Sequence, residues 1–374
     1  MDVVEITADL VSYNSASQFS NTPVSRAIAR WLRKAGMSVE LLNYLDPAGT
    51  QKTNVIGKKG DGTGGIALLA HSDVVPAEGW ASDPFKLTAR KGRLYGRGSA
   101  DMKGSVACMI AAANAFSVNE LKTPVYVIVT ADEETDCGGA KAVASKSKIF
   151  KSSDIRYGIV GEPTLLDVVY AHKGSLKFDA TARGKAAHSS TGKGENANHR
   201  LIPFLNDVVK LDGKLQTDSR YRNEAFDPPH GTLNIVFSDG DTAANVTAPV
   251  SRATINCRPM PDQDWKPIIN RMVRLADKHG VQIQVPKVLD PLSTSTDSPI
   301  VREALQIAGK RKPRTVSYGT DGMVFGKTME LVVMGPGNIQ QAHTVDEWIS
   351  REQLLMGSDV FTKMVHRFCV ENPV

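Results

Sequence analysis

A histidine and an aspartate, His71 and Asp73, follow directly on the apolar run at residues 66–70. This run is apolar without alternation and comes after glycine-rich turn residues, a pattern that predicts a fully buried strand. His71 is therefore expected at the carboxyl edge of a sheet, where open α/β folds bind their ligands. Four later stretches of the chain place acidic residues or a histidine at comparable points.

These strand-end residues together form a possible metal-ligand set. They are two imidazoles and four carboxylates, namely His71, Asp101, Glu133, Glu134, Glu162 and His343. Such a set suits Zn²⁺ and is also able to hold Mn²⁺ or Co²⁺. Two metal ions a few ångströms apart need a bridging carboxylate. Asp101 is the candidate for this role, because it stands between the other ligands in the sequence and lies on a glycine-rich loop that could approach them.

Glu133 and Glu134 are adjacent, and both are able to turn inward where a strand ends. One of them could then bind metal while the other stays free as a base. Asp73 could accept the proton from the His71 ring nitrogen that is not bound to metal, which would fix the tautomer.

Each of these residues also has a simpler interpretation when it is taken alone. His71 could be a hydrogen-bonded structural residue, Asp101 the N-cap of the helix that follows it, and His343 a plain loop histidine. The two glutamates could be a solvated acidic pair. Taken together, these interpretations are weaker, because they must explain acidic or histidine residues at the end of almost every predicted central strand.

The composition limits the classes of partner and compartment. The 374 residues carry a net charge of +5 that is spread along the chain, with neither a zinc-knuckle spacing nor an aromatic-basic stripe, so nucleic-acid binding is not expected. Because no apolar run approaches the ~18 residues of a membrane span, no membrane partner is expected either. The four cysteines form no CxxC pair and no signal peptide is recognisable, which favours a cytoplasmic location.

The order of elements predicts an α/β fold with a second domain inserted into it. Strands alternate with helices up to Gly174, which favours a mainly parallel sheet with helices on both faces. From residue 175 the predicted order becomes β-α-β-β-α-β, ending in a strand at 281–285, as in a ferredoxin-like α+β module. The predicted domains are thus 1–174 with 289–374, and an inserted 175–288. Two helix details are also predicted: Asp297 as an N-cap and Pro203 in a first turn.

Four motifs resemble, in order, those of the M20 metallopeptidase family. They are His71-Ser-Asp-Val-Val-Pro76, Gly96-Arg-Gly-Ser-Ala-Asp-Met-Lys-Gly104, Thr130-Ala-Asp-Glu-Glu-Thr135 and Gly161-Glu-Pro-Thr164. The resemblance covers nearly the whole chain and includes the inserted segment. Three further stretches are most similar to the family's acetylornithine deacetylase branch: Val169-Tyr-Ala-His-Lys-Gly174, Glu224-Ala-Phe226 and Gly335-Pro-Gly-Asn-Ile-Gln-Gln-Ala-His343.

The resemblance implies a site for two Zn²⁺ ions per subunit, with Co²⁺ or Mn²⁺ as alternatives. His71 and Glu162 would bind one ion, and Glu134 and His343 the other. Asp101 would bridge the two ions, and Glu133 would be the general base. Glutamate at position 162 is typical of the family's deacylases and carboxypeptidases, whereas its aminopeptidases tend to carry aspartate there.

The resemblance also implies roles for the inserted domain, which resembles the family's dimerisation lid and so implies a homodimer. His188 matches the histidine that completes the site, often from the partner subunit, and would stabilise an oxyanion. Asn245 and Arg258 match substrate-contacting positions, with Arg258 suited to an α-carboxylate. Thr320 lies in a turn that resembles the substrate-side turn of many members. Asp321, beside it, either selects a cationic substrate or simply forms the turn.

The implied function is hydrolysis of the amide bond of a small N-acyl amino acid. The favoured substrate is N-acetylornithine, which would give ornithine and acetate for arginine biosynthesis. The alternatives within enzymes are a succinyl-diaminopimelate desuccinylase, a general N-acyl amino acid deacylase, and a dipeptidase or carboxypeptidase. A non-catalytic metal-binding protein is the alternative from another class. Glu133 argues against it, because a pure binding site has no need for an unliganded carboxylate there.

Overall fold

The computed structural model describes residues 1–284 and 288–371, which form two compact units. The first unit comprises Met1–Ala171, Ser293–Arg314 and Thr320–Val374, and the second comprises His172–Leu292 and Thr315–Gly319. The predicted insertion at 175–288 falls inside the second unit. The sequence did not single out the short segment Thr315–Gly319, which the second unit takes from the later part of the chain.

The secondary-structure elements are numbered here in chain order. The helices are α1 (Val3–Val11), α2 (Thr22–Lys34), α3 (Gly104–Asn114), α4 (Gly138–Lys146), α5 (Lys148–Lys151), α6 (Asn198–Thr217), α7 (Lys266–His279), α8 (Pro299–Ile307), α9 (Gly322–Phe325) and α10 (Arg351–Val365). The strands are β1 (Ser38–Leu45), β2 (Gln51–Lys59), β3 (Ile66–His71), β4 (Thr88–Arg90), β5 (Arg93–Tyr95), β6 (Val125–Thr130), β7 (Tyr157–Val160), β8 (Val169–His172), β9 (Leu176–Arg183), β10 (Thr232–Ser238), β11 (Val250–Arg258), β12 (Gln282–Gln284), β13 (Leu292–Ser293), β14 (Arg314–Val316), β15 (Glu330–Val333) and β16 (Trp348–Ser350).

The largest sheet among the described residues is mixed rather than mainly parallel. Its order is β1-β2-β6-β3-β7-β15-β8-β13, with β14 paired to β8. The central strands β6, β3, β7 and β15 are parallel to one another. The pairs β1 with β2, β2 with β6, and β15 with β8 are antiparallel. The prediction therefore holds only for the centre. A tight turn joins β1 to β2, since Asp46 Oδ1 accepts the N–H groups of Ala48 and Thr50 and reverses the chain.

Burial explains why the central segments form strands and the flanking ones form helices. Every residue of β3 and β6 is buried, as expected for strands covered on both faces. In α2 the apolar residues Val24, Ile28 and Leu32 recur at helical spacing and are fully buried. The N-cap of α8 is Ser298, not the predicted Asp297, because Pro299 takes the first helical position.

The second unit contains a four-stranded antiparallel sheet in the order β10-β11-β9-β12, together with α6 and α7. Its element order is the predicted β-α-β-β-α-β, although Val285, the end of the last predicted strand, lies outside the described residues. Phe178, Phe204 and Met272 contribute to a separate buried apolar core. Because α6 begins at Asn198, Pro203 falls in its second turn and not in its first.

Among residues 1–284 and 288–371, no helix combines the length and the apolar character that crossing a bilayer requires.

Candidate metal centre

The strand ends of the central sheet bring the predicted ligands to one edge. His71 is the last residue of β3 and pairs with Thr130, the last residue of the parallel strand β6. On the other side of β3, Leu69 pairs with Val160, the last residue of β7. Parallel strands that end in register deliver the residues after them to the same edge. Glu133, Glu134 and Glu162 follow these two strand ends.

Asp101 lies between the two histidines of the cluster. Its Oδ1 is 3.1 Å from Nε2 of His71, and its Oδ2 is 3.4 Å from Nε2 of His343. Glu162 Oε1 lies 3.7 Å from His71 Nε2, and Glu134 Oε2 lies 3.0 Å from His343 Nε2. We call His71 with Glu162 the first half-site, and Glu134 with His343 the second half-site. One oxygen of Asp101 faces each of them.

Two groups of side chains in this cluster could hold a metal ion. One is His71 with Glu133 and Glu162, and the other is His71 with Asp101 and Glu134. Within each group the ligand atoms lie within 4.8 Å of one another. The first group includes Glu133, so this carboxylate lies close enough to the ligands to act on a group bound by them.

The carboxylates of the cluster are unfavourably placed as anions unless a cation accompanies them. Burial raises the pKa of Glu162 and Glu133 well above the usual value, and the charges of Asp101 and Glu162, respectively, add to the effect. Burial and the charge of Asp101 also raise the pKa of Glu134. This crowding of buried oxygen ligands around two imidazoles fits a site for divalent cations.

Hydrogen bonds set the protonation of the two histidines and of Asp101. Burial alone would lower the pKa of His71, but its hydrogen bond with Asp101 and the charge of Glu162 raise it well above the usual value. Hydrogen bonds with Asp101 and Glu134 raise the pKa of His343 to about 10. For Asp101 itself, burial works toward a higher pKa, and the bonds from His343 and His71 outweigh it and lower the pKa.

The structure corrects the predicted partner of His71 Nδ1. This nitrogen lies 2.9 Å from the backbone carbonyl oxygen of Asp73, whereas the nearer carboxylate oxygen is 3.7 Å away, beyond hydrogen-bond distance. A carbonyl oxygen only accepts, so Nδ1–H donates to it. Loss of the Nε2 proton to make way for a metal ion would then leave the Nε2 lone pair facing the cluster.

The carboxylate of Asp73 is committed to other groups instead. It accepts the backbone N–H groups of Glu133 at 3.2 Å and Glu134 at 3.3 Å, and the hydroxyl of Ser17 at 2.9 Å. Asp73 therefore positions the glutamate pair as well as His71.

Glu347, a buried carboxylate bonded to the Asp101 loop, was not predicted from the sequence. It accepts the backbone N–H groups of Gly98, Ala100 and Asp101 at 2.9, 2.9 and 3.0 Å. The guanidinium of Arg97 donates to it at 2.8 Å. In the sequence it is an acidic residue four positions after His343, with no feature that distinguishes it from a solvent-exposed glutamate. Its role arises because the glycine-rich loop folds around it.

Thr320 and Asp321 form a buried turn at the start of α9. The Thr320 hydroxyl oxygen accepts the N–H of Gly322 at 2.9 Å, and the hydroxyl of Thr130 donates to Asp321 Oδ2 at 2.5 Å. Burial raises the pKa of Asp321 to about 6. The Asp321 carboxylate is thus enclosed within the first unit, which favours the turn-forming interpretation over direct selection of a cationic substrate.

The remaining predicted site residues belong to the second unit. The exposed His188 lies beside Asn245, because the N–H of Ser189 donates to the Asn245 carbonyl at 2.9 Å. The N–H of Ser190 donates to His188 Nδ1 at 3.3 Å, which leaves the proton of the neutral ring on Nε2. Arg258 is the half-buried last residue of β11 and pairs with Thr232 of β10. The structure therefore brings two of these three residues together.

Comparisons with known proteins agree with the resemblance drawn from the motifs. Residues 67–367 match the model of peptidase family M20/M25/M40. An acetylornithine deacetylase from Myxococcus xanthus is 34% identical over 96% of this chain and 96% of its own, and one from Proteus mirabilis is 32% identical over 97% and 94%.

Solved structures support the same fold. An M20 family metallo-carboxypeptidase from Sulfolobus solfataricus superposes with a TM-score of 0.76 at 18% identity, over 98% of this chain and 99% of its own. A dinuclear metal binding peptidase of the M20 family from Bacillus subtilis gives a TM-score of 0.65 at 18% identity, over 97% and 96%. The predicted family is thus confirmed. This chain belongs to peptidase family M20/M25/M40 and is a metallo-hydrolase of that family.

Proposed function

We propose that this protein hydrolyses the amide bond of N-acyl amino acids and that its substrate is N-acetylornithine. The observation that carries the proposal is the position of Asp101, whose two oxygens face His71 and His343 at 3.1 and 3.4 Å. The choice of substrate is supported by relatives named acetylornithine deacetylase, which are 31–34% identical over nearly the whole chain. The ornithine released would serve arginine biosynthesis.

The cluster would hold two Zn²⁺ ions, with Co²⁺ or Mn²⁺ as alternatives. When bound, such ions polarise a carbonyl group and lower the pKa of water toward neutrality. His71 and Glu162 would be ligands in the first half-site, Glu134 and His343 in the second, and Asp101 would bridge them.

Glu133 is the proposed general base. Asp73 fixes its backbone N–H, and its carboxylate lies within the group formed by His71 and Glu162. Burial and the charge of Glu162 raise the pKa of Glu133, which makes its carboxylate a stronger base. Glu133 would accept the proton of the attacking water and later pass it to the leaving amine.

The second unit would supply the contacts to substrate. His188 carries its proton on Nε2, so it is able to donate to the developing oxyanion. Arg258 would pair with the α-carboxylate of the substrate in a planar bidentate arrangement. Asn245 of the same unit and Thr320 of the first unit complete the proposed substrate contacts.

A homodimer formed through the second unit is also proposed. Within the described sheet of that unit, β10 is an edge strand, and its Val236 and Phe237 are 62% and 64% exposed. Ile202 and Val209 of α6 are similarly exposed, at 60% and 58%. An edge strand with neighbouring apolar side chains favours pairing with a second copy of the chain.

A cytoplasmic location is proposed on the state of the thiols. All four cysteines are free and buried, as expected for a protein kept in a reducing compartment.

The direct test is release of ornithine from N-acetylornithine with and without a chelator. A panel containing N-succinyl-diaminopimelate, several N-acetyl amino acids and a dipeptide, run beside it, separates the alternative substrates. We expect the highest kcat/KM for N-acetylornithine and loss of turnover on chelation. Higher kcat/KM for the dipeptide would replace the deacylase assignment with a peptidase, and no turnover of any member would remove the proposed function.

Glu133→Gln tests the assignment of the base. The variant is expected to keep its metal content and to lose about 10²–10⁴-fold in kcat, because only the proton acceptor is removed. Asp136→Asn, a change in an exposed carboxylate of the same loop, is the matched control and should keep full activity. Unchanged kcat in Glu133→Gln would exclude Glu133 as the base.

A further inference from the structure

A buried polar network lies directly before the glutamate pair. The hydroxyl of Tyr44 in β1 donates to Asp132 Oδ2 at 2.6 Å, and Lys52 Nζ in β2 lies 2.9 Å from Asp132 Oδ1. The Lys52 side chain is 0% exposed and that of Asp132 is 4% exposed. Both carboxylate oxygens of Asp132 are therefore in contact with side chains that are not among the proposed metal ligands.

Lys52 is fully surrounded by acceptors, which fix the position of its charge. Besides Asp132, its ammonium group donates to the backbone carbonyl oxygens of Ser17 at 2.5 Å and Phe19 at 2.9 Å. Asp46 of the β1–β2 turn lies 3.6 Å away. A buried ammonium with this many partners has one position, and so does the carboxylate that it holds.

Asp132 has a backbone conformation that matters for the residues after it. Its φ is +58°, in the left-handed region that few residues other than glycine adopt. Its carbonyl oxygen accepts the N–H groups of Asp136 and Cys137 at 3.1 and 2.8 Å, which closes the loop. The direction in which the chain leaves Asp132 determines where Glu133 and Glu134 project.

We propose that Tyr44 and Lys52 are positioning residues that act through Asp132 to aim Glu133 and Glu134 into the cluster. The part that concerns the base rests on the proposed function, whereas the part that concerns Glu134 as a ligand is measurable without any substrate. Asp73 accepts the N–H groups of the two glutamates, so the side-chain network and Asp73 both constrain the three-residue segment 132–134.

Tyr44→Phe is the first test, because it removes a single hydroxyl from the network. We expect the second metal equivalent to bind about tenfold more weakly by titration calorimetry with Zn²⁺ alone, as is typical when an outer partner of a ligand is lost. At saturating Zn²⁺, kcat should fall about tenfold while KM stays within about twofold. Tyr126→Phe is the matched control. Tyr126 is a buried β6 tyrosine whose hydroxyl has no hydrogen-bond partner among the described residues, and its variant should match the wild type.

Asp132→Asn and Asp132→Ala provide the second test. Asparagine tolerates a positive φ and still accepts a hydrogen bond from Tyr44, whereas alanine does neither. We expect zinc affinity and kcat to fall about tenfold in Asp132→Asn and about 100-fold in Asp132→Ala. Lys52→Met would leave the buried Asp132 carboxylate without its cation and is expected to destabilise the fold, so the test relies on the Tyr44 and Asp132 variants.

The outcomes separate this inference from the proposed function. Zinc affinity in Tyr44→Phe and Asp132→Ala equal to that of the wild type would overturn the inference, even if N-acetylornithine is hydrolysed. A wild type that cleaves no N-acyl amino acid, together with weakened zinc binding in these variants, would remove the proposed function and leave the positioning of Glu134 standing. Equal losses of thermal stability in Tyr44→Phe and Tyr126→Phe, with no difference in zinc affinity, would reduce the network to a structural role.

Discussion

The two half-sites share Asp101 but differ in how firmly the chain holds them. In the first half-site the side chains of His71 and Glu162 are 1% and 6% exposed. His71 ends a central strand, and its second nitrogen is fixed by the Asp73 carbonyl. In the second half-site His343 is 54% exposed and lies in a loop at φ +62°.

From this difference we infer that the two proposed metal positions would not be equivalent. A ligand at a strand end already has its position before the metal arrives, whereas a ligand on an exposed loop loses conformational entropy when the metal binds. We therefore expect the first half-site to bind more tightly and the second to exchange its ion more readily. Binding strength in this site follows from the elements that carry the ligands, since both half-sites offer the same chemical types, one histidine and one glutamate.

The largest expected effect follows a change that removes the shared residue. Asp101→Asn keeps the size of the side chain but loses the charge that faces both histidines. We expect turnover to fall about 10³-fold and the metal content to drop in both half-sites. Elemental analysis after dialysis and kcat measurements check this, with Asp136→Asn as the control. Two retained equivalents in Asp101→Asn would mean that the half-sites do not depend on a common bridge.

Matched histidine variants test the inequality itself. His343→Ala should lower metal affinity about 100-fold in the second half-site only, so that about one equivalent stays bound. His71→Ala should affect the tighter position and also lower the melting temperature, because it empties a position that is almost completely buried. Metal titrations and thermal unfolding of both variants provide the measurement. If His343→Ala sheds both ions while His71→Ala keeps one, the order of the half-sites is the reverse of the expected one.

The sequence predicted that these candidate ligands lie at one sheet edge because strand ends leave a pattern that is readable over a few residues. The apolar run before His71 and the β-branched run before Thr130 both end where reactive side chains begin. Periodicity of this kind also identified the centre of the sheet. The structure brings these residues to one edge through the parallel register of β3 with β6 and β7.

Supporting residues could not be predicted in the same way, because their partners are distant backbone groups. Glu347 accepts N–H groups nearly 250 positions earlier in the chain, and the Asp73 carboxylate accepts those of Glu133 and Glu134. No local spacing encodes such contacts. The antiparallel pairing of β1 and β2 was missed for a related reason, since the turn at Asp46 that reverses the chain was not recognised.

The raised pKa of His343 also predicts a pH dependence of stability. In the metal-free protein, hydrogen bonds with Asp101 and Glu134 raise its pKa from 6.5 to about 10. A group whose pKa is higher in the folded state stabilises most fully below its unfolded pKa, and this stabilisation is lost as the pH rises through the folded value. The metal-free protein should therefore lose stability between pH 6.5 and about 10.

Metal binding changes in the opposite direction over the same range. The imidazole must be neutral to bind metal, so the affinity of the second half-site should rise by up to about tenfold per pH unit. Denaturant titrations of the metal-free protein near neutral pH and near pH 10 check the stability, and His343→Gln should show a smaller decline. His366→Gln, which alters a surface histidine paired with Glu371, is the control. A decline of equal size in His343→Gln and in the wild type would contradict the assignment.

The smallest expected effect concerns Glu347, which supports Asp101 and so acts on both half-sites alike. Glu347→Gln keeps the shape but replaces one carboxylate oxygen with an NH2 group, which cannot accept a hydrogen bond. Either Arg97 and Gly98 or Ala100 and Asp101 would then lose their acceptor. We expect a loss of at least about 1.5–3 kcal/mol in the free energy of unfolding, because buried donors lose their acceptor and the remaining bonds run to a neutral oxygen. Since the loop carries Asp101, the proposed bridge, kcat should fall several-fold with both metal equivalents weakened to the same extent. Glu352→Gln, an exposed glutamate at the start of α10, is the matched control. Weakening confined to one half-site would show that the loop supports that half-site alone. Asp101 would then not act on the two half-sites alike.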